Sequence, residues 1–170
     1  MNPLIQFKKI LILPLLIVLA LVVGALTAVP AFATPPVGVT VELLATGPFD
    51  ELDVSARTGR WKARIDTKGE SVLNVNRLTF QPGGYTGWHT HPGPVLVMVM
   101  SGTVTEYDGD DPSCTPHVYP AGTTFVEPGN NVHLVKNEST TNQAVMVGVA
   151  LIPAGAVGRI DAPNPGHCPF

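Results

Sequence analysis

Hydrophobic and polar residues alternate in short segments over most of the chain after residue 33. Segments such as "GVTVELLA", "SVLNVNRLTF" and "AVMVGVALI" are rich in β-branched residues. Turn signals that contain glycine or proline, including "TKGE", "QPGG" and "EPGNN", separate them. Many short strands at this spacing are typical of sandwiches and barrels, and no segment in this part has a convincing helical period. The pattern therefore predicts an all-β domain.

One segment, "VLVMVM" at residues 95–100, is apolar at every position. A strand with one solvent-facing side normally alternates, so an uninterrupted apolar run is typical of a strand that is covered on both faces. The pattern predicts that this strand lies in the middle of the fold. Ser101 and Gly102 then predict a turn into "TVTEYD", an alternating segment that is the expected pairing partner.

The first 33 residues have the composition of a secretory signal peptide. Lys8 and Lys9 precede an apolar run at residues 10–29, and Ala31 and Ala33 form a small-x-small cleavage pattern. Together these features predict cleavage after Ala33 and a protein that is secreted or otherwise extracytoplasmic. The alternative is a membrane anchor formed by residues 10–29, because the run approaches the length that spans a bilayer.

Residues 34–170 are predicted to form a single domain with an irregular tail at 153–170. Loss of Lys8 and Lys9 from the chain's 10 basic residues leaves 8 against 13 acidic residues, a net charge of −5. This balance gives no reason to expect nucleic acid as a partner. The segment "RTGRWKARIDTK" at residues 57–68 is locally basic. It is interpreted as a solvated strand face or, alternatively, as an anion-attracting patch.

The chain has two cysteines, Cys114 and Cys168. In an exported protein an even number of cysteines indicates a disulfide, and only one intramolecular pairing is available here. Cys168 lies in "PNPGHCPF", an irregular segment with little else to hold it. We therefore predict a Cys114–Cys168 bond that fastens the tail to the barrel.

Two histidines stand one residue apart where a predicted strand ends. Residues i and i+2 of a strand point to the same face, so His89 and His91 are expected to lie about 6–7 Å apart and to face the same way. Trp88 should then face away from His89. Such a pair is either a partial metal site or polar residues at a strand end. His133, on a second predicted hairpin, is the residue that favours the metal site.

The segments around these histidines resemble the paired motifs of the cupin superfamily. The first is "GGYTGWHTHPGPVLVMVMSG" at residues 83–102, in which the His-x-His pair follows a glycine at the family's spacing. The second is "GTTFVEPGNNVHLVKN" at residues 122–137, with glycine, a Pro-Gly turn, histidine and asparagine in the family's order. Two motifs in the right order and separation are much more specific than either one alone.

The resemblance implies a fold and a cofactor. Cupins are double-stranded β-helix barrels of the jelly-roll type, which here would span about residues 40–152. Their motif histidines point into the barrel and hold iron, manganese, zinc, nickel or copper, and a small-molecule ligand or substrate binds beside the ion. Cupins often dimerise, so a homodimer is also implied. The metal ligands that the resemblance implies are His89, His91 and His133.

The resemblance also implies structural roles for residues near the ligands. Gly83, Gly102 and Gly122 would serve turns, and Asn137 would support the barrel. Asn130 stands where the family pattern has a glycine, a difference that alters only a turn.

The first motif departs from the family pattern at its acidic ligand. The family has a glutamate three or four residues beyond the second histidine, where this chain has Val95 and Leu96. Neither side chain binds metal, so the resemblance implies a site of three imidazoles with no carboxylate on the Leu96 side. His117 and His167 match no ligand position and are interpreted as ordinary polar residues.

Two classes of function are compatible with this sequence. One is a metal-dependent enzyme of the cell exterior, dioxygenase-like or other, with an unknown substrate. The alternative is a non-catalytic barrel that binds a small ligand or a metal ion. An enzyme should have perturbed titratable groups beside the histidines, whereas a plain binding barrel should have an apolar pocket that contains only the histidines.

Overall fold

The computed structural model describes residues 33–170, so the predicted signal segment and the apolar run at residues 10–29 lie outside the described residues except for Ala33. The described part is built from strands and turns, as the alternating pattern predicts. None of its residues forms a helix of the length and hydropathy needed to cross a membrane. The strands are β1 (Val37–Phe49), β2 (Asp53–Thr58), β3 (Trp61–Asp66), β4 (Ser71–Tyr85), β5 (His89–Thr90), β6 (Val95–Ser101), β7 (Thr103–Asp108), β8 (His117–Pro120), β9 (Thr124–Glu127), β10 (His133–Lys136), β11 (Ala144–Pro153) and β12 (Ile160–Asp161).

Ten of these strands form one antiparallel sheet that curls into a nearly closed barrel. The main path runs β12-β5-β10-β4-β11-β6-β9, and β1 and β7 join it through β4 and β10. The strand β8 pairs only with β7, and β2 and β3 form a separate hairpin. This arrangement confirms the predicted all-β barrel of the jelly-roll type.

The barrel encloses an apolar core that comes from alternate positions of its strands. Phe80, Val99, Val104 and Val135 are completely buried, and Val97 is nearly so. Burying a side chain of this size contributes about 1.5–3 kcal/mol relative to leaving it in water. The core therefore fixes which face of each strand points inward, and with it the direction of the polar side chains that share that face.

The prediction that "VLVMVM" is covered on both sides is wrong. Val95, Val97 and Val99 of β6 are buried, whereas the side chains between them are exposed. β6 lies in the barrel wall between β11 and β9, so only its inner face meets the core. Leu96 and Met98 are 56% and 48% exposed, so that outer face is only partly covered.

The locally basic segment lies on the β2–β3 hairpin, and every residue of β2 is exposed. Arg64 contacts Asp53 at 3.3 Å and Asp66 at 2.8 Å, and Lys68 contacts Asp66 at 3.1 Å. Exposed ion pairs of this kind contribute little to stability. They offset part of the local positive charge, which favours the solvated strand face over the anion-attracting patch.

Residues that the motifs assign to turns adopt the backbone conformations that turns require. Gly102 has φ +72°, and a Cβ there would lie 2.5 Å from the Gln143 carbonyl oxygen. Asn130 has φ 63°, a left-handed conformation that asparagine tolerates better than most residues. Asn137 is buried, and its side-chain nitrogen donates to the Asn142 carbonyl at 2.7 Å, which links neighbouring loops.

The predicted disulfide is present. Cys114 and Cys168 are bonded, with their Cα atoms 5.4 Å apart. The bond holds the tail so that the Phe170 ring lies 6.3 Å from Trp88 and 4.7 Å from Tyr107, between ring centroids. Trp88 therefore faces away from the histidine beside it, as predicted, and belongs to a second apolar cluster on the outside of the barrel wall.

The first residues of the predicted mature chain pack against the same region. The backbone N–H of Trp88 donates to the Thr34 hydroxyl at 2.6 Å, and the Thr34 N–H donates to the Ala162 carbonyl at 3.4 Å. Gly87 has φ +71°, and a Cβ there would clash with the Thr34 carbonyl oxygen. The close approach of Thr34 therefore depends on the missing side chain at position 87.

Candidate metal centre

The three motif histidines converge on one point inside the barrel, as predicted. His89 begins β5, His91 follows it, and His133 begins β10. β5 and β10 pair directly with His89 opposite His133, so the third histidine comes from the adjacent strand. Ring centroids are 4.4–5.2 Å apart, and one ring nitrogen from each residue lies within 4.8 Å of the others.

Each imidazole is held by a hydrogen bond from the nitrogen that faces away from this point. In every case the partner is a backbone carbonyl, which only accepts, so Nδ1 carries the proton and a neutral ring has its lone pair on Nε2. A histidine that binds metal through one nitrogen typically donates the other N–H in this way. The carbonyl oxygens of Gly87, Gly158 and Asn131 lie 3.0, 2.7 and 3.1 Å from Nδ1 of His89, His91 and His133 respectively.

The inward-facing nitrogens have one weak partner. Nε2 of His91 and Nε2 of His133 are buried, and the Glu127 carboxyl oxygens lie 3.3 and 3.5 Å from them, beyond the usual length of a charge-assisted hydrogen bond. Buried polar atoms with such long contacts are suited to a ligand. Burial, followed by the charges of His133 and Arg159, lowers the pKa of His89 to about 2, which keeps that ring neutral and able to bind metal. The donor set therefore fits a divalent ion.

A carboxyl that neither motif assigns, that of Glu127 on β9, lies beside two of the histidines. Its side-chain oxygens lie 3.3 Å from Nε2 of His91 and 3.5 Å from Nε2 of His133. Glu127 is 3% exposed and stands opposite Val95 in the β6–β9 register. Leu96 points outward. Val95 is therefore the inward-facing residue of the two that stand where the family pattern has a glutamate.

The sequence contains a pattern that predicts the inward direction of Glu127. In "TTFVE" the residues alternate, and Phe125 is an obvious core residue. Glu127 stands two positions later and must share the inner face of the strand. The structure has this pattern, with Phe125 and Glu127 buried and Val126 exposed.

The charge of Glu127 is balanced by the neighbouring rings. Burial by itself raises the pKa of this carboxyl, but hydrogen bonding and attraction from His133 and His91 outweigh burial and lower the pKa to about 2. Burial lowers the pKa of His133, while Glu127 raises it by more, and the net direction is upward. The site therefore favours an ionised carboxylate beside a positive charge.

A cavity of about 320 Å³ opens onto His89, His91 and Glu127, while His133 lies behind them. Its size is at the lower end of the range for small-molecule sites. Arg159 lies on its wall, where Nε donates to Asp161 at 2.8 Å and the guanidinium also donates to the Thr86 carbonyl at 2.8 Å. Most of the remaining wall is apolar and comes from Val39, Val41, Leu78, Val95, Val97, Met146 and Ala150.

The other two histidines lie outside this group, as the motifs imply. His117 is an exposed residue at the start of β8. His167 is in the tail beside Cys168.

The comparisons with known proteins agree with this architecture. Residues 76–150 match the family model described as the cupin domain. Residues 76–150 therefore form a cupin domain. No curated protein matches it significantly.

Several solved structures resemble this cupin. A cupin-2 domain from Rhodospirillum rubrum is 14% identical with a TM-score of 0.49, and the alignment covers 74% of this chain and 66% of that one. A protein with a double-stranded β-helix domain from Klebsiella pneumoniae is 19% identical with a TM-score of 0.46, covering 75% and 84%. A cupin-like protein from Thermotoga maritima is 22% identical with a TM-score of 0.46, covering 54% and 65%. The TM-scores are all below 0.5, so no conclusion about this chain is drawn from these structures.

Proposed function

We propose that this cupin is an exported protein that binds a divalent metal ion through His89, His91 and His133. The observation that carries the proposal is the orientation of the three rings. Each Nδ1–H is fixed by a backbone carbonyl, and each Nε2 is directed to a common point. Imidazole nitrogen binds zinc, copper, iron and nickel, so the donor set is compatible with several of the metals that the family uses.

We further propose that the ion acts on a small, largely apolar molecule in the adjoining cavity. A metal in such a site supplies Lewis-acid chemistry or binds dioxygen beside a substrate. The chain's own contribution is to orient the ligand against an apolar wall and to exclude water from it. Glu127 and Arg159 are ionisable groups beside the histidines, and this observation favours an enzyme.

A non-catalytic binding barrel is the second candidate function. The apolar character of most of the cavity wall favours this alternative. The two candidates differ in whether a bound molecule is converted, so a turnover assay separates them.

Export is proposed from the signal-like segment and from the disulfide. The Cys114–Cys168 bond is consistent with an oxidising compartment. Cleavage after Ala33 would leave Thr34 as the first residue, in contact with Trp88.

One experiment tests the metal and the export together. Protein recovered after export should begin at Thr34 by N-terminal sequencing and should carry close to one divalent ion per chain by elemental analysis. An oxygen-uptake screen with small apolar molecules then distinguishes the dioxygenase-like enzyme from the binding barrel. Intact Met1 on a membrane-bound product would contradict cleavage, and protein without divalent metal would contradict the metal site.

We also propose that the cupin forms a homodimer through the outer face of β6. Leu96, Met98 and Met100 are about half exposed, and Val126 of β9 extends the patch because it is paired with Leu96. Contiguous exposed apolar side chains are typical of interfaces. These side chains carry no charge, so the patch suits a second copy of itself related by two-fold symmetry.

Met98→Lys is expected to shift the protein from dimer to monomer, because the variant places a charge at the centre of the apolar patch. Sedimentation velocity over a range of protein concentrations measures the change. Val157→Lys is the matched control, since Val157 is 73% exposed but lies in the connection between β11 and β12 rather than on β6. A wild-type protein that stays monomeric at all concentrations would contradict the proposal.

A further inference from the structure

One row of paired residues crosses the floor of the cavity from the histidines to the opposite end. Asn74 of β4 pairs with Ala150 of β11, which pairs with Val95 of β6. Val95 in turn pairs with Glu127 of β9, the member of the row that lies beside the histidines. All four residues line the cavity. Neighbouring strands lie about 4.8 Å apart, so Asn74 stands roughly 14 Å from Glu127 along the wall.

A second row lies beside the first and has a glycine at its centre. Asn76 pairs with Gly148, and Gly148 pairs with Val97. Gly148 lies in the interior of β11 and its φ is not positive, so no turn requires a glycine there. Glycine weakens a strand interior and often marks a place where a ligand approaches closely. A Cβ at this position would lie 3.2 Å from Cγ1 of Val95 and would take up space at the cavity floor.

Two asparagines on the inner face of a central strand are unusual. β4 is paired on both sides, with β1 and with β11, and asparagine is depleted in strands. Asn74 and Asn76 are half-buried in a wall that is mostly apolar, where a polar group costs free energy unless it is hydrogen-bonded. The Thr46 hydroxyl donates to Oδ1 of Asn74 at 2.7 Å. Among the described residues, this contact leaves the Asn74 amide N–H groups for a molecule in the cavity.

The charged side chains of the cavity lie at its histidine end. The two that line it within residues 33–170 are Glu127 and Arg159. Glu127 lies beside His91, and Arg159 is two residues from Asp161, which pairs with His89. The opposite end has carboxamides, which are neutral and both donate and accept hydrogen bonds. That end suits a hydroxyl or carbonyl, because a carboxylate or ammonium there would lack a compensating charge.

We propose that the ligand of this cavity is a small molecule with an apolar body and one neutral hydrogen-bonding group, and that Asn74 and Asn76 bind this group at the end away from the histidines. The apolar body lies over Gly148 and Ala150, whose small side chains leave room for it. The two asparagines therefore determine specificity and direct the other end of the molecule towards the histidines. This inference rests on the proposed small-molecule function and deepens it, because it names the chemical class of the ligand.

The test is an NMR titration of the exported protein with 4-ethylphenol and with ethylbenzene, two probes that differ by one hydroxyl. Asn74→Leu and Asn76→Leu replace a carboxamide by an apolar group of similar size. In each variant we expect the ratio of 4-ethylphenol affinity to ethylbenzene affinity to fall about 3- to 10-fold, which is the effect of one hydrogen bond. A purely structural role of the asparagines would instead weaken the binding of both probes alike.

Gly148→Ala tests the position of the apolar body. It should weaken the binding of both probes by a similar factor, because the new methyl group enters the space above the floor. Gly47→Ala is the matched control, since Gly47 is a strand glycine of β1 with no atom within 4 Å of an added Cβ. Asn142→Leu is the control for the asparagine variants, because Asn142 is exposed in the connection between β10 and β11.

The outcomes separate this inference from the proposed function. If wild type binds both probes and neither asparagine variant changes the ratio of their affinities, the inference is overturned while a small apolar ligand stands. If wild type binds neither probe, both fail. Metal content is measured in parallel and should stay the same in every variant, since the converging group of possible ligands contains neither asparagine.

Discussion

Replacing Cys168 with serine is expected to lower the free energy of unfolding by about 4 kcal/mol. The bond joins residues 54 positions apart, and a cross-link over a loop of this length removes much conformational freedom from the unfolded chain. The variant also releases Phe170 from its contacts with Trp88 and Tyr107. Denaturation in urea, with the wild type oxidised, measures the difference.

Cys114→Ser and the double variant Cys114→Ser with Cys168→Ser are the matched comparisons for Cys168→Ser. All three proteins lack the same bond, so their unfolding free energies should agree closely and should equal that of the reduced wild type. A loss below about 1 kcal/mol in every variant would contradict the view that the tail is fastened mainly by this bond.

His133→Ala is expected to abolish stoichiometric metal binding. The substitution removes one of three converging nitrogens, and a divalent ion loses a ligand that no neighbouring side chain replaces. The fold should persist because the core is made by the apolar strands. Stability should still fall by about 1–3 kcal/mol, since Glu127 loses one of its buried partners.

Elemental analysis after gel filtration measures the metal, and circular dichroism checks the fold. His117→Ala is the control, because this exposed histidine lies outside the site and should leave the metal content unchanged. A His133→Ala protein that keeps equimolar metal would refute the assignment of His133 as a ligand.

The local alternation of the sequence predicts the barrel well because alternation determines which face of a strand is buried. The same rule, together with the resemblance to cupins, predicts that His89, His91 and His133 point into the barrel. The rule fails at "VLVMVM", because an apolar outer face gives the same pattern as a doubly covered strand. Burial of Leu96 and Met98 depends on what packs outside the barrel, which the local pattern does not encode.

The position of Glu127 shows a second limit of prediction from the sequence. Its inward direction follows from Phe125, two residues earlier, but its proximity to the histidines depends on the pairing of β9 with β6. A motif that specifies ligands by spacing along the chain places the acidic ligand on the histidine strand. The register of a neighbouring strand brings the Glu127 carboxyl beside His91 and His133, and such a register becomes visible only in the folded structure.

The disulfide-bonded tail limits the routes by which a small molecule can enter and leave the cavity. Phe170 and the cluster around Trp88 cover the back of the wall that carries the histidines, and His133 has no exposure to solvent on any side. Among the described residues, the cavity that opens onto His89 and His91 is therefore the route by which a small molecule would reach them and leave. A molecule bound in this cavity would block the next one until it departs.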